Sequence, residues 1–160
     1  MAGATIEFDY RDALNRLLAI ETTLTDPTEM LRDMGEELRD IHRDRFRAQT
    51  SPSGVPWVPL KPWYQESKPR NQNRILTLFG LLKNTLRYQI SGSDLLFGTD
   101  RPYGAIHNFG GIIKPKTAKA LNVGGRPVKQ VTIPQREWLG VSEPEGERLL
   151  EIARRHLQGN

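Results

Sequence analysis

Prolines between residues 49 and 74 restrict the fold of this chain more than any other sequence feature. Proline fixes φ and lacks a backbone N–H, so this stretch cannot form long helices or central strands. The prolines concerned are Pro52, Pro56, Pro59, Pro62 and Pro69. A connection of this length is unusual inside a compact domain and is more often functional or disordered.

The same stretch contains three large aromatic residues, Trp57, Trp63 and Tyr64. They argue against simple disorder, because aromatic side chains contribute strongly to interfaces once they find a partner. We therefore predict that residues 49–74 form an arm that is mobile in the free chain and becomes ordered on assembly. Trp57, Trp63 and Tyr64 are its predicted contacts with a neighbouring subunit or another partner.

The net charge of +4 hides a strong asymmetry along the chain. Residues 1–48 carry 7 Lys and Arg against 11 Asp and Glu, residues 49–136 carry 13 against 3, and residues 137–160 carry 3 against 5. A basic middle between acidic ends suits nucleic-acid binding, contact with the acidic ends of neighbouring copies, or a merely solvated surface. The charge pattern leaves all three interpretations open.

Length and composition indicate one domain spanning residues 1–160, because 160 residues support a single core. The low apolar fraction of 37% indicates a modest core with long extensions. The sequence has no cysteine, so nothing argues for a disulfide framework. No segment approaches the roughly 18 apolar residues of a membrane helix, and the acidic N-terminal segment is unlike a signal peptide. We expect a soluble protein that is made and used inside a cell.

Apolar spacing predicts four main helices. The first covers residues 10–20, and the second begins at Asp26 and runs for about twenty residues. A third is predicted at residues 77–86, and a fourth begins at the capping box formed by Ser142 and Glu145. The long second helix has an apolar stripe facing the core, formed by Leu31, Met34, Leu38 and Ile41.

Strand signals alternate with these helices. Residues 5–9 fit a short strand, residues 87–97 fit a hairpin, and residues 112–133 fit a longer hairpin. A short helix is predicted at 103–109, between the two hairpins. This order is typical of an α+β fold, in which a small antiparallel or mixed sheet is packed by amphipathic helices. The Pro/Trp-rich arm and the extended hairpin would project from it.

The long hairpin is also the most basic part of the chain. Its cationic residues are predicted to contact a subunit or partner, and they are Lys114, Lys116, Lys119, Arg126 and Lys129. Together with the nearby aromatic residues, they would also suit contact with nucleic acid. No helix-turn-helix, zinc-finger or RNA-recognition motif accompanies them.

The sequence offers little that suggests catalysis. His42 and His156 lie in charged helical runs and are predicted at the surface. His107 lies in a compact aromatic segment, where we expect it to make a hydrogen bond that fixes the turn near Asn108 and Gly110. Residues predicted to shape turns are Gly54, Tyr103, His107, Phe109, Gly110 and Gly111. We predict no catalytic residue, no cofactor and no metal site, because no triad, metal-ligand spacing or phosphate loop is present.

Four segments, in the same order, resemble the phage virion morphogenesis family, whose members are also called tail-completion proteins. They begin at Phe46, Ile75, Gly98 and Ile133. The first has Pro-x-Gly followed by Trp57, the second a Leu-Gly-Leu helix, the third Tyr-Gly-Ala-Ile-His-Asn-Phe-Gly-Gly, and the fourth Ile-Pro-Gln-Arg-Glu-Trp-Leu-Gly. Gln135 and the pair Glu137-Trp138 depart from the small residue and the Pro-Phe that the family leads us to expect.

The resemblance implies a structural protein of a tailed phage that completes the tail or neck and joins tail to head. It implies a ring of copies around the DNA channel, six by family expectation, assembled in the host cytoplasm and located in the virion. Expected partners are head-closure or connector proteins and tail-terminator or tail-tube proteins, with non-specific contact to channel DNA and none to a membrane. The family has no established catalytic residues to transfer.

Two other classes of function remain open at the sequence level. A nucleic-acid-binding module would use the basic middle of the chain, and its affinity would fall steeply with salt. A small hydrolase would use His107, and it would lose activity in a His107→Ala variant that still folds.

Overall fold

The computed structural model describes residues 11–158 apart from Gly124, and it shows an α+β fold, as predicted. The helices are α1 (Arg11–Thr25), α2 (Thr28–Ala48), α3 (Pro62–Ser67), α4 (Leu81–Asn84), α5 (Tyr103–Phe109) and α6 (Glu143–Gln158). The strands are β1 (Arg87–Ser91), β2 (Asp94–Gly98), β3 (Gly111–Ile113), β4 (Leu121–Val123), β5 (Arg126–Val128) and β6 (Val131–Ile133). The strand predicted at residues 5–9 lies outside the described residues.

Helix α2 is the central element, and it begins and ends much as its sequence predicts. The Asp26 carboxylate accepts a hydrogen bond from the backbone N–H of Thr28 at 3.1 Å, which caps the first turn. The helix ends where Gln49 adopts the left-handed conformation, with φ 60°. Its apolar stripe is buried, apart from half-buried Met34, and packs against α6 and the β1–β2 hairpin.

The predicted capping box opens α6. The backbone N–H of Ser142 donates to Glu145 Oε2 at 2.7 Å. Helix α6 lies between α2 and α1, and its buried contact residue is Ile152. Helix α1 extends five residues beyond the predicted end at Ile20 and packs on α6 with none of its own residues buried.

The strands of the described residues form three separate two-stranded antiparallel sheets. The hairpin of β1 and β2 is confirmed, with a two-residue loop in which Gly92 has φ 59°. The longer predicted hairpin is also confirmed, but its ladder is interrupted. β3 pairs with β6 and β4 pairs with β5, while residues 114–120 on one arm face only residues 129–130 on the other. The unequal arms make residues 114–120 bulge out.

The helix predicted at residues 77–86 is wrong for most of its length, because only α4 is helical there. Gly80 precedes α4 with φ 75°, and Leu76 has φ 53°. Left-handed Gly80 lies inside the predicted span, and a continuous right-handed helix cannot pass through such a residue.

The core is small and aromatic. It joins α2, the arm, α4 and the segment before α6, and its buried members are Phe46, Trp57, Leu82, Leu86 and Trp138. The rings of Phe46 and Trp57 meet edge to face, with centroids 5.4 Å apart. Trp57 thus lies inside its own chain and is not available to a neighbouring copy. The expectation that Trp57 is an interface residue is wrong, because residues 49–57 fold back onto α2.

Two polar side chains of α2, His42 and Arg45, contact the backbone of the segment 138–140. His42 is fully buried: its Nδ1 lies 2.7 Å from the Leu38 carbonyl, and its Nε2 accepts from the Gly140 N–H at 3.3 Å. The prediction of a surface histidine is therefore wrong. Burial lowers the pKa of His42 to about 4, so the ring is neutral near pH 7. His156 is half-buried, with Nε2 2.8 Å from a carboxylate oxygen of Asp33.

Arg45 links α2 to α6 through the same segment. Its guanidinium is buried and donates to the Gly140 carbonyl and to Glu145 Oε2, both at 2.6 Å. Burial alone would raise the pKa of Glu145. The hydrogen bonds from Ser142 and the charge of Arg45 outweigh that effect and hold the pKa below its usual value.

Candidate functional site

An open groove lies between the arm and the long hairpin, with a volume of about 1020 Å³. Its walls come from the arm, from residues 76–82, from α5 and from both ladders of the hairpin. Its exposed apolar lining residues are Val58, Phe79, Leu81, Tyr103 and Ile113. A large apolar concavity of this kind is where a protein binds a ligand or partner.

Arg136 fixes the arm wall of the groove. Its side chain is buried and donates from Nε to the Val58 carbonyl at 2.8 Å and from Nη2 to the Pro59 carbonyl at 3.2 Å. Its backbone N–H donates to the His107 carbonyl at 2.9 Å. Burial lowers the pKa of Arg136, and the negative ends of these carbonyl dipoles face its positive charge. Arg136 thus ties the arm to α5, through its side chain on one side and its backbone N–H on the other.

Lys68 fixes the far end of the arm. Its buried Nζ donates to the carbonyls of Asn71, Arg74 and Thr77 at 2.6, 2.7 and 3.1 Å. These bonds use all three ammonium protons and close the loop after α3. Burial also lowers the pKa of Lys68. The arm is therefore held by its own chain at both ends, which differs from the predicted mobile segment.

Asn108 and Trp138 form the support behind the groove. The Asn108 side-chain oxygen accepts from the N–H groups of Trp138 and Leu139 at 3.1 and 3.0 Å. The indole of Trp138 donates to the Gly104 carbonyl at 2.9 Å. A Cβ on Gly104 would approach Thr99 Cγ2 to 2.9 Å, so this close packing requires glycine.

His107 does not make the predicted hydrogen bond with its side chain. Within the described part of the chain its buried Nδ1 has no partner, and the ring packs edge to face with Tyr103 at 6.2 Å. Burial, and to a smaller extent the charge of Arg136, lowers the pKa of His107. The expectation for His107 is therefore wrong, and the side chain that makes hydrogen bonds in this segment is that of its neighbour Asn108, which holds the backbone of Trp138 and Leu139.

The predicted turn residues lie at chain reversals or beside them. Gly54 closes a turn with φ 80°, and its N–H donates to the Ser51 carbonyl at 2.9 Å. Gly110 ends α5 with φ 73°, where a Cβ would approach the Gln135 nitrogen to 2.9 Å. Gly111 has φ 155° and begins β3, while Tyr103 and Phe109 are exposed at the two ends of α5.

The basic residues of the hairpin lie on its surface. Lys114, Lys116 and Lys119 are exposed on the bulge, and Lys129 is exposed on the opposite arm. Arg126 differs, because its guanidinium lies 5.2 Å from the ring centroid of Trp63. Trp63 also packs edge to face with Tyr64 at 5.9 Å, and both rings are half-buried. The hairpin tip and the arm therefore meet over one end of the groove.

Residues 11–123 and 125–158 contain no group of three or more His, Asp or Glu side chains that could hold a metal ion. No helix in these ranges has the length and apolar character needed to cross a membrane.

The comparison with known families agrees with this architecture. The sequence model of the phage virion morphogenesis family matches residues 9–158. The chain belongs to the phage virion morphogenesis family. The match covers nearly the whole chain and confirms the resemblance seen in the four sequence segments. The chain has no significant match among curated proteins or solved structures.

Family membership indicates a structural or assembly role in a phage virion. The groove is therefore of interest as a surface for another protein. Sequence reasoning found the arm and the hairpin but missed Arg136, Lys68 and Asn108, which give the groove its shape. The irregular backbone of residues 58–77 was the available signal. Its carbonyl groups are not all paired within a helix or a sheet, so they need hydrogen-bond donors from elsewhere in the chain.

Proposed function

We propose that this protein completes the tail or neck of a tailed phage and joins tail to head, as one subunit of an oligomeric ring around the DNA channel. The observation that carries the proposal is the open apolar groove in a virion morphogenesis protein. Exposed apolar surface of this extent is costly in a protein that remains alone, and it is usual where another protein docks.

The construction of the groove supports a docking role over a catalytic one. Arg136 and Lys68, the buried cations of its wall, hold backbone carbonyls in place: Arg136 donates from Nε and Nη2 to Val58 and Pro59, and Lys68 uses all three ammonium protons in this way. We propose that the protein is not an enzyme, since His107 has no acidic or nucleophilic partner in the described residues. The groove wall would then serve as a preformed, rigid surface that costs little ordering entropy on binding.

The proposed partners are further copies of the chain, which would bind at the groove, and the adjoining head-closure or connector and tail-terminator or tail-tube proteins. The exposed lysines of the hairpin would face either an acidic surface of a partner or the DNA in the channel.

Locating the protein in the virion tests the proposal. Purified virions are labelled with an antibody against the chain, and the label is found by electron microscopy. Label at the junction of head and tail is the expected result. Label confined to the capsid shell or the tail tip, or absence of the protein from virions, would contradict the proposal.

A nucleic-acid-binding role is the second candidate, and the exposed basic bulge at 114–120 favours it. It predicts affinity for duplex or single-stranded DNA that falls steeply with salt, with a slope set by the number of phosphates neutralised. Fluorescence anisotropy with the wild type and with a Lys114→Gln/Lys119→Gln variant measures that slope. Loss of binding by the variant would favour this candidate, and no binding at low salt would exclude it.

A further inference from the structure

Helix α1 has an apolar face that the described residues of the chain leave exposed. Leu14, Leu17, Leu18 and Leu24 recur at helical spacing and are 46%, 62%, 50% and 66% exposed. We call these four residues the leucine stripe. The opposite side of the helix faces α6, where Ala19, Ile20 and Thr23 are half-buried and the Thr23 hydroxyl lies 3.4 Å from the His156 carbonyl. The stripe therefore points away from the body of the protein.

The groove is a matching surface on a different part of the same chain. Phe79 and Val58 in its wall are 55% and 48% exposed. Of the described residues that line the groove, none belongs to α1. One copy can therefore present its leucine stripe and its groove at the same time, to two different neighbours. A helix is about 10–12 Å wide with its side chains, and α1 is about 22 Å long.

Charge favours the pairing of these two surfaces. Glu21 lies on the same face of α1 as the leucine stripe, three or four residues from Leu17, Leu18 and Leu24, and it is exposed. The groove is bordered by the exposed cation Lys61 and lies in the section 49–136, which carries 13 Lys and Arg against 3 Asp and Glu. A carboxylate that enters an interface requires a cation there, because an unpaired buried charge is costly.

We propose that the leucine stripe of one copy docks into the groove of the next copy. The contact is heterologous, because two different surfaces meet, so it repeats head to tail and produces a ring when the rotation closes. A second copy is the occupant because the chain itself carries an exposed amphipathic helix with a carboxylate, Glu21, on its apolar face. The inference deepens the proposed function and rests on it, since it names the surfaces that hold the subunits together.

Cross-linking in assembled particles tests the contact, and the absence of cysteine from the sequence makes the labelling specific. Copies carrying Leu17→Cys and copies carrying Phe79→Cys, with different epitope tags, are co-produced during phage assembly. The particles are treated with a short bismaleimide. A band that carries both tags is expected from the mixture, and neither variant alone should cross-link.

A matched control uses Leu150→Cys, on α6, in place of Leu17→Cys, because Leu150 is similarly exposed at 50%. It should give no band with Phe79→Cys. The proposal is overturned if Leu17→Cys and Phe79→Cys give no mixed band, if Leu17→Cys cross-links to itself, or if the control reacts equally. In each of these cases the leucine stripe of one copy does not dock into the groove of the next.

Mixing two disrupted variants tests the head-to-tail arrangement in solution. Leu17→Asp and Phe79→Asp should each weaken self-association of the purified protein at least about tenfold, as measured by sedimentation velocity, with unchanged thermal unfolding. That factor corresponds to about 1.4 kcal/mol. An equal mixture should form dimers and nothing larger, because only one intact stripe and one intact groove remain. Unchanged association of both variants would contradict the proposal.

The two proposals fail in distinguishable ways. If the protein is present at the neck and the mixed band is absent, only the stripe-and-groove contact is wrong. If the protein is absent from virions, the proposed function fails and this inference fails with it.

Discussion

Trp57 provides the sharpest test of how the arm is held. Its ring is buried against Phe46, and its indole N–H donates to the Glu137 carbonyl at 3.0 Å. Replacing a buried Trp by Ala costs about 3–5 kcal/mol through lost burial and the cavity left behind. Leaving the Glu137 carbonyl without its donor adds about 1 kcal/mol. We therefore expect Trp57→Ala to lower the free energy of unfolding by about 4–6 kcal/mol.

Trp63→Ala is the matched control, because Trp63 lies in the same arm and is only half-buried. It loses edge contact with Tyr64 and the guanidinium of Arg126, which together contribute about 1 kcal/mol. Its expected effect on stability is therefore several-fold smaller than that of Trp57→Ala. Any larger effect of Trp63→Ala should appear in assembly, where its role as an interface residue stays a prediction.

Urea unfolding of the free protein, followed by circular dichroism, measures both variants. With a urea dependence of about 2 kcal/mol per molar, the midpoint of Trp57→Ala should fall by about 2–3 M. Hydrogen exchange on the free wild type should show protection at the Trp57 N–H, which donates to the Gln49 carbonyl at 2.8 Å. A loss below about 1 kcal/mol for Trp57→Ala, or rapid exchange at residues 50–57, would refute a folded arm.

Three further predictions concern other parts of the chain. Because the pKa of His42 is lowered to about 4, stability should be full above pH 6.5 and fall by up to about 3 kcal/mol as the pH drops to 4. Urea midpoints should show this loss in the wild type and less of it in His42→Gln; equal pH dependence would contradict it. Gly35→Ala should destabilise by about 1–3 kcal/mol in thermal unfolding, because its Cβ would lie 2.6 Å from the Tyr88 ring; a gain, as in an open helix, would contradict the packing. Lys114→Gln with Lys119→Gln should change the unfolding free energy by less than about 0.5 kcal/mol, since both are exposed; a loss above 1 kcal/mol would make them structural.

Local patterns predicted the elements that are stabilised locally. The stripe of α2, the loop of the β1–β2 hairpin, the extent of α5 and the capping box of α6 all depend on residues within a few positions of one another. The family assignment also came from the sequence, because it rests on four ordered segments and not on their packing.

Features that depend on distant partners were missed. His42 and Arg45 lie on the buried side of α2, but charged helices commonly expose such residues, and their partners lie about a hundred residues away at Gly140 and Glu145. Trp57 and Trp63 look alike in a proline-rich segment, and only the fold of residues 136–138 determines which of them is buried. The helix predicted at 77–86 failed because Gly80, inside that span, has left-handed backbone, which the apolar spacing does not reveal.

Particles produced without the protein give the most direct test of the proposed role in joining head to tail. A phage carrying a nonsense codon early in the gene is grown in a non-suppressing host, and the lysate is examined by negative-stain microscopy and titred. The proposed function predicts separate heads and tails and a loss of infectivity that the wild-type gene restores. Joined, infectious virions in the absence of the protein would contradict it.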